Sequence, residues 1–138
     1  MLQVAAHLTR VAEEHKIDRV ILAGDMNASE YSPGEVKDTR KGYKTMCTTY
    51  GGIKPPLRDS LRIIRPTVEE DRSITTDHDH NALAQRWGEK HGDYRLDYFF
   101  VSSSITVKEQ TVLSNWKLKE KDQEEDVSDH YGISMIFE

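Results

Sequence analysis

Three short clusters of carboxylate, amide and imidazole side chains are the parts of this sequence whose types and spacing can do chemistry. The first is Gly24-Asp25-Met26-Asn27, at the end of an apolar run. In an open α/β sheet, ligands collect beyond the carboxyl ends of strands, so a carboxylate and an amide two residues apart there can face one site. The alternative is an Asx turn, in which both side chains bond only nearby backbone. The second cluster is Asp97 within Arg95-Leu96-Asp97-Tyr98-Phe99-Phe100. A carboxylate in an apolar strand is expensive to bury unless it is paired. Arg95, two residues away on the same strand face, offers a structural ion pair; a histidine from elsewhere in the chain offers a reactive one. Spacing leaves both open. The third is Ser128-Asp129-His130, ahead of the last apolar alternation. A histidine held by a buried carboxylate has its tautomer fixed and its cationic form stabilised, which suits a group facing a phosphate or a developing oxyanion. A strand-entry turn with an exposed histidine accounts for the same residues.

Two further features are weaker. Asp77-His78-Asp79-His80, with His91 and Asp93 nearby, has donors suited to Zn²⁺ or Mn²⁺. In an extended segment, however, alternate residues split between two faces, so a polar loop near a substrate entrance is the simpler expectation. Cys47 is the single cysteine, which precludes an intrachain disulfide and fits a reducing compartment; packing or capping a strand is its expected role.

These residues need elements to hold them. Residues 1–16 place Val4, Ala5, Leu8, Val11 and Ala12 at helical spacing, without a capping residue in front. Arg19 to Gly24 predicts a strand buried on both faces. Asn27 to about Pro56 is rich in Ser, Gly, Thr, Lys and Pro, with turn signals at Ser32-Pro33-Gly34 and Gly51-Gly52, and predicts a loop with one short helix. Leu57, Leu61 and Ile64 suit one or two helical turns ended by Pro66. A short extended segment is expected over 73–81. Tyr94 to Val101 is the strongest strand, followed by strands at Ile105 and Val107 and at 133–137. Lys117 to Asp126 is a charged run expected to form a solvated hairpin loop or a mobile excursion.

Helices alternating with strands over 138 residues predict one α/β domain. Lys plus Arg number 19 against 24 Asp plus Glu, a net charge of −5, so no basic surface draws the chain to duplex DNA. A hydrophobic content of 36% leaves the core modest, which suggests a face completed by another chain. No apolar run approaches the roughly 18 residues of a spanning helix, and there is no basic-then-apolar leader. The single cysteine and the lack of a leader point to cytoplasm or nucleus.

The order of the three clusters, each at a strand end, resembles the endonuclease/exonuclease/phosphatase superfamily of metal-dependent phosphoesterases. Gly24-Asp25-Met26-Asn27 is similar to that family's Gly-Asp-Phe-Asn, Arg95-Leu96-Asp97-Tyr98-Phe99 to its Arg-Ile-Asp-Tyr-Ile, and Ser128-Asp129-His130 to its Ser-Asp-His. The first helix and the Asp59 segment also sit where the family has them, and Thr75-Thr76-Asp77-His78 more loosely resembles a Thr-Phe-His. The resemblance implies a fold: half of a DNase I-like four-layer α/β sandwich, with one mixed, mostly antiparallel sheet and helices on its outer face. It implies that residues 1–138 are the C-terminal part of such a domain. It also implies roles. Asp25 would activate or orient the attacking water, Asn27 would hydrogen-bond the phosphoryl group, Asp97 would orient His130, and His130 would contact the phosphoryl oxygens. Asp129, with Asp25, would hold Mg²⁺ or Mn²⁺, and His78 would help bind substrate. The family's amino-terminal metal-binding glutamate, asparagine and histidine belong to a half this sequence lacks. The expectations are therefore an inactive isolated chain, and a partner in the form of the missing half or a second copy. A non-catalytic interaction module of the same fold is the alternative.

Overall fold

The computed structural model of the chain describes residues 1–29, 40–68, 71–86, 93–115, 117–120 and 123–138. In chain order its elements are α1 (Leu2–His15), β1 (Ile21–Asp25), α2 (Arg40–Gly51), β2 (Leu57–Asp59), α3 (Ser60–Ile64), α4 (Ala82–Gln85), β3 (Asp97–Ser102), β4 (Val107–Leu113), β5 (Lys117–Glu120), β6 (Gln123–Asp126) and β7 (Gly132–Phe137). Ser32-Pro33-Gly34 and His91 lie outside the described residues.

The expected helix at the amino terminus forms, burying Ala5 and Ala12 on one face. It ends as Lys16 enters the left-handed region (φ 54°) and the Ile17 N–H closes back onto the Ala12 carbonyl at 2.8 Å. The stretch read as loop with one short helix carries α2, a helix of three turns that buries Met46 and Tyr50 although its Gly and Thr content is poor for helix. Packing overrides propensity here. The segment read as helical from Leu57 begins as β2 and turns into α3 where Asp59 accepts the Leu61 N–H, an N-cap.

Among the described residues, the strands do not join into one mixed sheet. They form three groups, with β3 between β1 and β2, β4 beside β7, and β5 beside β6, and every pairing among them is antiparallel. β5 and β6 pair antiparallel, with Lys117 opposite Asp126 and Glu120 opposite Gln123. The charged run 117–126 is thus a hairpin of two strands. The apolar run at β1 is likewise not buried on both faces: Ile21, Ala23, Gly24 and Asp25 are exposed and Leu22 is half-buried. β1 is an edge strand, hydrogen-bonded only to β3 in this sheet.

Tyr98 and Phe100 on β3 pack with Met46, Tyr50 and Leu57 in one core cluster, and Val101 packs with Ile105 and Val107 in a second. Beneath β3, Arg95 and Asp59 form a buried bidentate ion pair with N–O distances of 2.6 and 2.7 Å. Tyr43 donates to the same carboxylate, and the Arg95 guanidinium lies 4.2 Å from the centre of the Tyr98 ring. Among the described residues, no helix is long and apolar enough to cross a membrane.

Candidate functional site

The last residue of β1 lies directly across the ladder from the first residue of β3, so Asp25 and Asp97 are cross-strand neighbours. Gly24, just before, has φ +142°, a conformation that side-chain-bearing residues rarely adopt, and it turns the strand end. The ladder runs one bond further, from the Met26 N–H to the Leu96 carbonyl at 2.8 Å. Asn27 then takes a positive φ of 49°, its N–H donating to Asp25 Oδ1 at 2.8 Å and its side-chain amide to Oδ2 at 3.2 Å. The Asx turn anticipated from the sequence is present, and it orients the Asp25 carboxylate.

Of the two partners open to Asp97, the histidine is the one observed. His130 Nδ1 lies 2.8 Å from Asp97 Oδ2, whereas Arg95 is committed to Asp59. Arg95 precedes the strand, so the two-residue alternation that would put it on the face of Asp97 does not apply. An ionised carboxylate only accepts hydrogen bonds, which assigns the proton to Nδ1 and leaves Nε2 as the working nitrogen of the ring. The side chains of His130 and Asp97 are 25% and 17% exposed, dry enough to strengthen the pair and open enough for a ligand.

One ligand atom each from Asp25, Asp97 and His130 lies within 4.8 Å of the others. Two carboxylates facing each other across a ladder repel, so this corner favours a cation, supplied by an imidazolium or a metal ion. The oxygens of Asp25 and Asp97 are the hard donors that Mg²⁺ and Mn²⁺ accept.

The loop that presents His130 is tied down at several points. The His130 N–H donates to Ser128 Oγ at 3.1 Å, the Tyr131 N–H to the Thr75 carbonyl at 2.7 Å, and the Asn81 side-chain amide to the Ser128 carbonyl at 2.9 Å. Asn81 also N-caps α4 by accepting from Leu83 and Ala84. The Tyr131 phenol is pushed above its usual value, first by burial and then by the negative charges of Asp77, Asp126 and Asp93.

The remaining expected site residues stand apart from this trio. Asp129 adjoins His130 in sequence, and its carboxylate lies 3.4 Å from Ser128 Oγ, but it is not one of the three clustered groups. His78 is half-buried, its N–H donating to Asp93 Oδ1 at 2.9 Å. In the Asp77–His80 stretch, Asp77 accepts from the Asp79 and His80 N–H groups and contacts the His80 ring at 3.0 Å. Asp77 thus caps a polar turn, and among the described residues this stretch forms no cluster of metal-binding groups. Sequence reading gave no role to Asn81, though an Asn ahead of Ala82-Leu83-Ala84 is an N-cap signal.

No protein-family model and no curated protein matches the chain. Among solved structures, an endonuclease/exonuclease/phosphatase family protein from Leptotrichia buccalis C-1013-b matches with a TM-score of 0.51 and 27% sequence identity. The chain resembles the endonuclease/exonuclease/phosphatase family. The match covers 87% of this chain and 36% of the solved one, so the chain spans about a third of the length of that family protein.

Proposed function

We propose that the chain carries the C-terminal share of a divalent-metal-dependent phosphoesterase site. The observation that carries this reading is the 2.8 Å contact between His130 Nδ1 and Asp97 Oδ2 with Asp25 in the same cluster. A histidine fixed by a carboxylate presents one nitrogen, protonated when the ring is cationic, to a phosphoryl oxygen as charge develops there. Asp25, oriented by Asn27, would position or deprotonate the attacking water, and the second N–H of the Asn27 amide, whose nitrogen also donates to Asp25, would hydrogen-bond the phosphoryl group. In this reading Asp25 and Asp129 would hold Mg²⁺ or Mn²⁺, with Asp97, clustered with Asp25, close enough to share the ion. An ion held there would supply Lewis-acid polarisation of the phosphoryl oxygen and neutralise charge on the leaving oxygen. In this reading His78 would help bind substrate. The substrate class is a phosphoester, and a net charge of −5 places small phosphoesters and headgroups ahead of duplex DNA.

The test is turnover of a simple phosphodiester with Mg²⁺ or Mn²⁺, together with Mn²⁺-induced NMR line broadening in the chain alone. Broadening centred on the amides of Asp25, Asp97 and Asp129 is expected, and its absence there would overturn the metal assignment. Where turnover is seen, His130→Ala should abolish it while leaving the fold; full turnover by that variant refutes the mechanism.

A second reading, a non-catalytic module of the same fold, draws support from exposed apolar residues. Ile21 on the edge strand β1 and Ile136 and Phe137 on β7 are 39%, 59% and 45% exposed. In the phosphoesterase reading these are covered by the other half of the domain. Turnover by the chain without a second polypeptide would exclude the module reading.

A further inference from the structure

We infer that Thr75 is a positioning residue for the His130–Asp97 pair, acting through its buried hydroxyl. It rests on the phosphoesterase reading only for its catalytic meaning. Thr75 is fully buried, and its single side-chain oxygen accepts from the N–H groups of Leu96 at 2.9 Å and Asp97 at 3.3 Å. Its own N–H donates to the Tyr94 carbonyl at 2.8 Å, and its carbonyl accepts the Tyr131 N–H at 2.7 Å. One residue therefore grips the chain at the backbone of Asp97 and again immediately after His130. These two side chains come from segments far apart in sequence, and the 2.8 Å contact between them tolerates little relative movement. Without the hydroxyl, Leu96 and Asp97 lose their acceptor where water cannot replace it, and the start of β3 has to shift to find another. A shift there moves the Asp97 carboxylate away from the imidazole. Neighbouring Thr76 provides the contrast: it is also buried, and its hydroxyl has no hydrogen-bond partner among the described residues. Its loss should leave the pair alone.

The experiment reads the tautomer of His130 by ¹⁵N NMR in the full chain, at a pH where the ring is neutral, which requires no turnover. In the native chain the Nδ1–H form is expected to dominate, held by Asp97. Thr75→Val, of nearly the same shape but without the acceptor, is expected to lower the Nδ1–H to Nε2–H ratio by about fivefold, the loss of roughly one neutral hydrogen bond. Thr75→Ser, which keeps the hydroxyl, and Thr76→Val should stay within about twofold of native, well inside the effect of one such bond. Should the valine chain fail to fold, Thr75→Cys replaces the hydroxyl with a poor acceptor and must still lower the ratio; a native ratio in that variant overturns the role. A native ratio in folded Thr75→Val, or a serine variant as perturbed as valine, also overturns it. Asp97→Asn separates the two ideas. A native ratio in that variant would remove the pair on which the phosphoesterase reading rests, whereas a collapsed ratio there beside a native one in Thr75→Val refutes the role of Thr75 alone.

Discussion

Replacing Asp59 by asparagine tests whether β3, and with it Asp97, rests on a buried ion pair. The side chains of Asp59 and Arg95 are 3% and 2% exposed. Burial alone would lower the Arg95 pKa, but the hydrogen bonds and charge of Asp59 more than reverse this and raise it, so the guanidinium stays ionised. Asparagine keeps the volume of Asp59 and the oxygen that caps α3 through the Leu61 N–H at 3.1 Å. What it removes is the counter-charge and the second oxygen, which accepts from Arg95 and Tyr43. Breaking a buried pair by removing one partner costs about 3–5 kcal/mol, because the surviving charge is left in a dry site. For a domain whose whole stability is about 5–15 kcal/mol, that is a large share. With a urea dependence of about 2 kcal/mol per molar, the unfolding midpoint should fall by roughly 2 M. The assay is urea unfolding followed by circular dichroism, with the slope checked to show that the denatured state is unchanged. Replacing both partners by apolar residues, Asp59→Leu with Arg95→Met, should recover most of the loss, since no charge is then left buried. A midpoint for Asp59→Asn within about 0.3 M of native, or a double variant no more stable than the single one, would refute the reasoning.

Asp25→Asn should raise stability by about 0.5 kcal/mol, because it removes like-charge repulsion across the ladder while keeping the acceptor for the Asn27 N–H; thermal unfolding without metal checks the sign, and a loss of stability counts against it. The same variant should lose Mn²⁺-induced broadening at the site. Asp126 is held below the usual carboxylate range: burial would raise it, but the Lys117 ammonium and the Ala82 N–H prevail and lower it. A depressed folded pKa contributes stability that is present above about pH 4 and lost as pH falls below that. Lys117→Met should therefore cost about 1 kcal/mol at neutral pH, and its difference from native should shrink in urea midpoints taken from pH 5 down to pH 2; a difference independent of pH would contradict this. Asn81→Ala removes both the α4 cap and the donor to the Ser128 carbonyl, and should cost about 1–2 kcal/mol with faster amide exchange at Leu83 and Ala84. An unchanged melting temperature would show that neither bond matters.

What could be read from the sequence was what is local. Asp25, Asn27, Asp97 and His130 stand out because polar groups at the ends of apolar runs carry their own signal, and α1, β3 and β7 follow from spacing. The failures share a physical origin in non-local pairing. A short helix is expected within 27–56 but not located, and its place at Arg40–Gly51 follows from Met46 and Tyr50 meeting Leu57, Tyr98 and Phe100, partners that outweigh the cost of its Gly and Thr residues. The run at Ile21–Gly24 looks fully buried because apolar strands usually are, yet its burial depends on a covering layer that these residues do not supply. Arg95 shows the limit most clearly. Two residues from Asp97, it is that residue's natural partner if the strand begins before position 95. In the structure β3 begins at Asp97, the backbone ahead of it is held by Thr75, and the guanidinium turns to Asp59. That single boundary leaves Asp97 available to His130. The site therefore depends on where β3 starts, and the hydroxyl of Thr75, bonded to the two N–H groups at that start, is the group best placed to fix it.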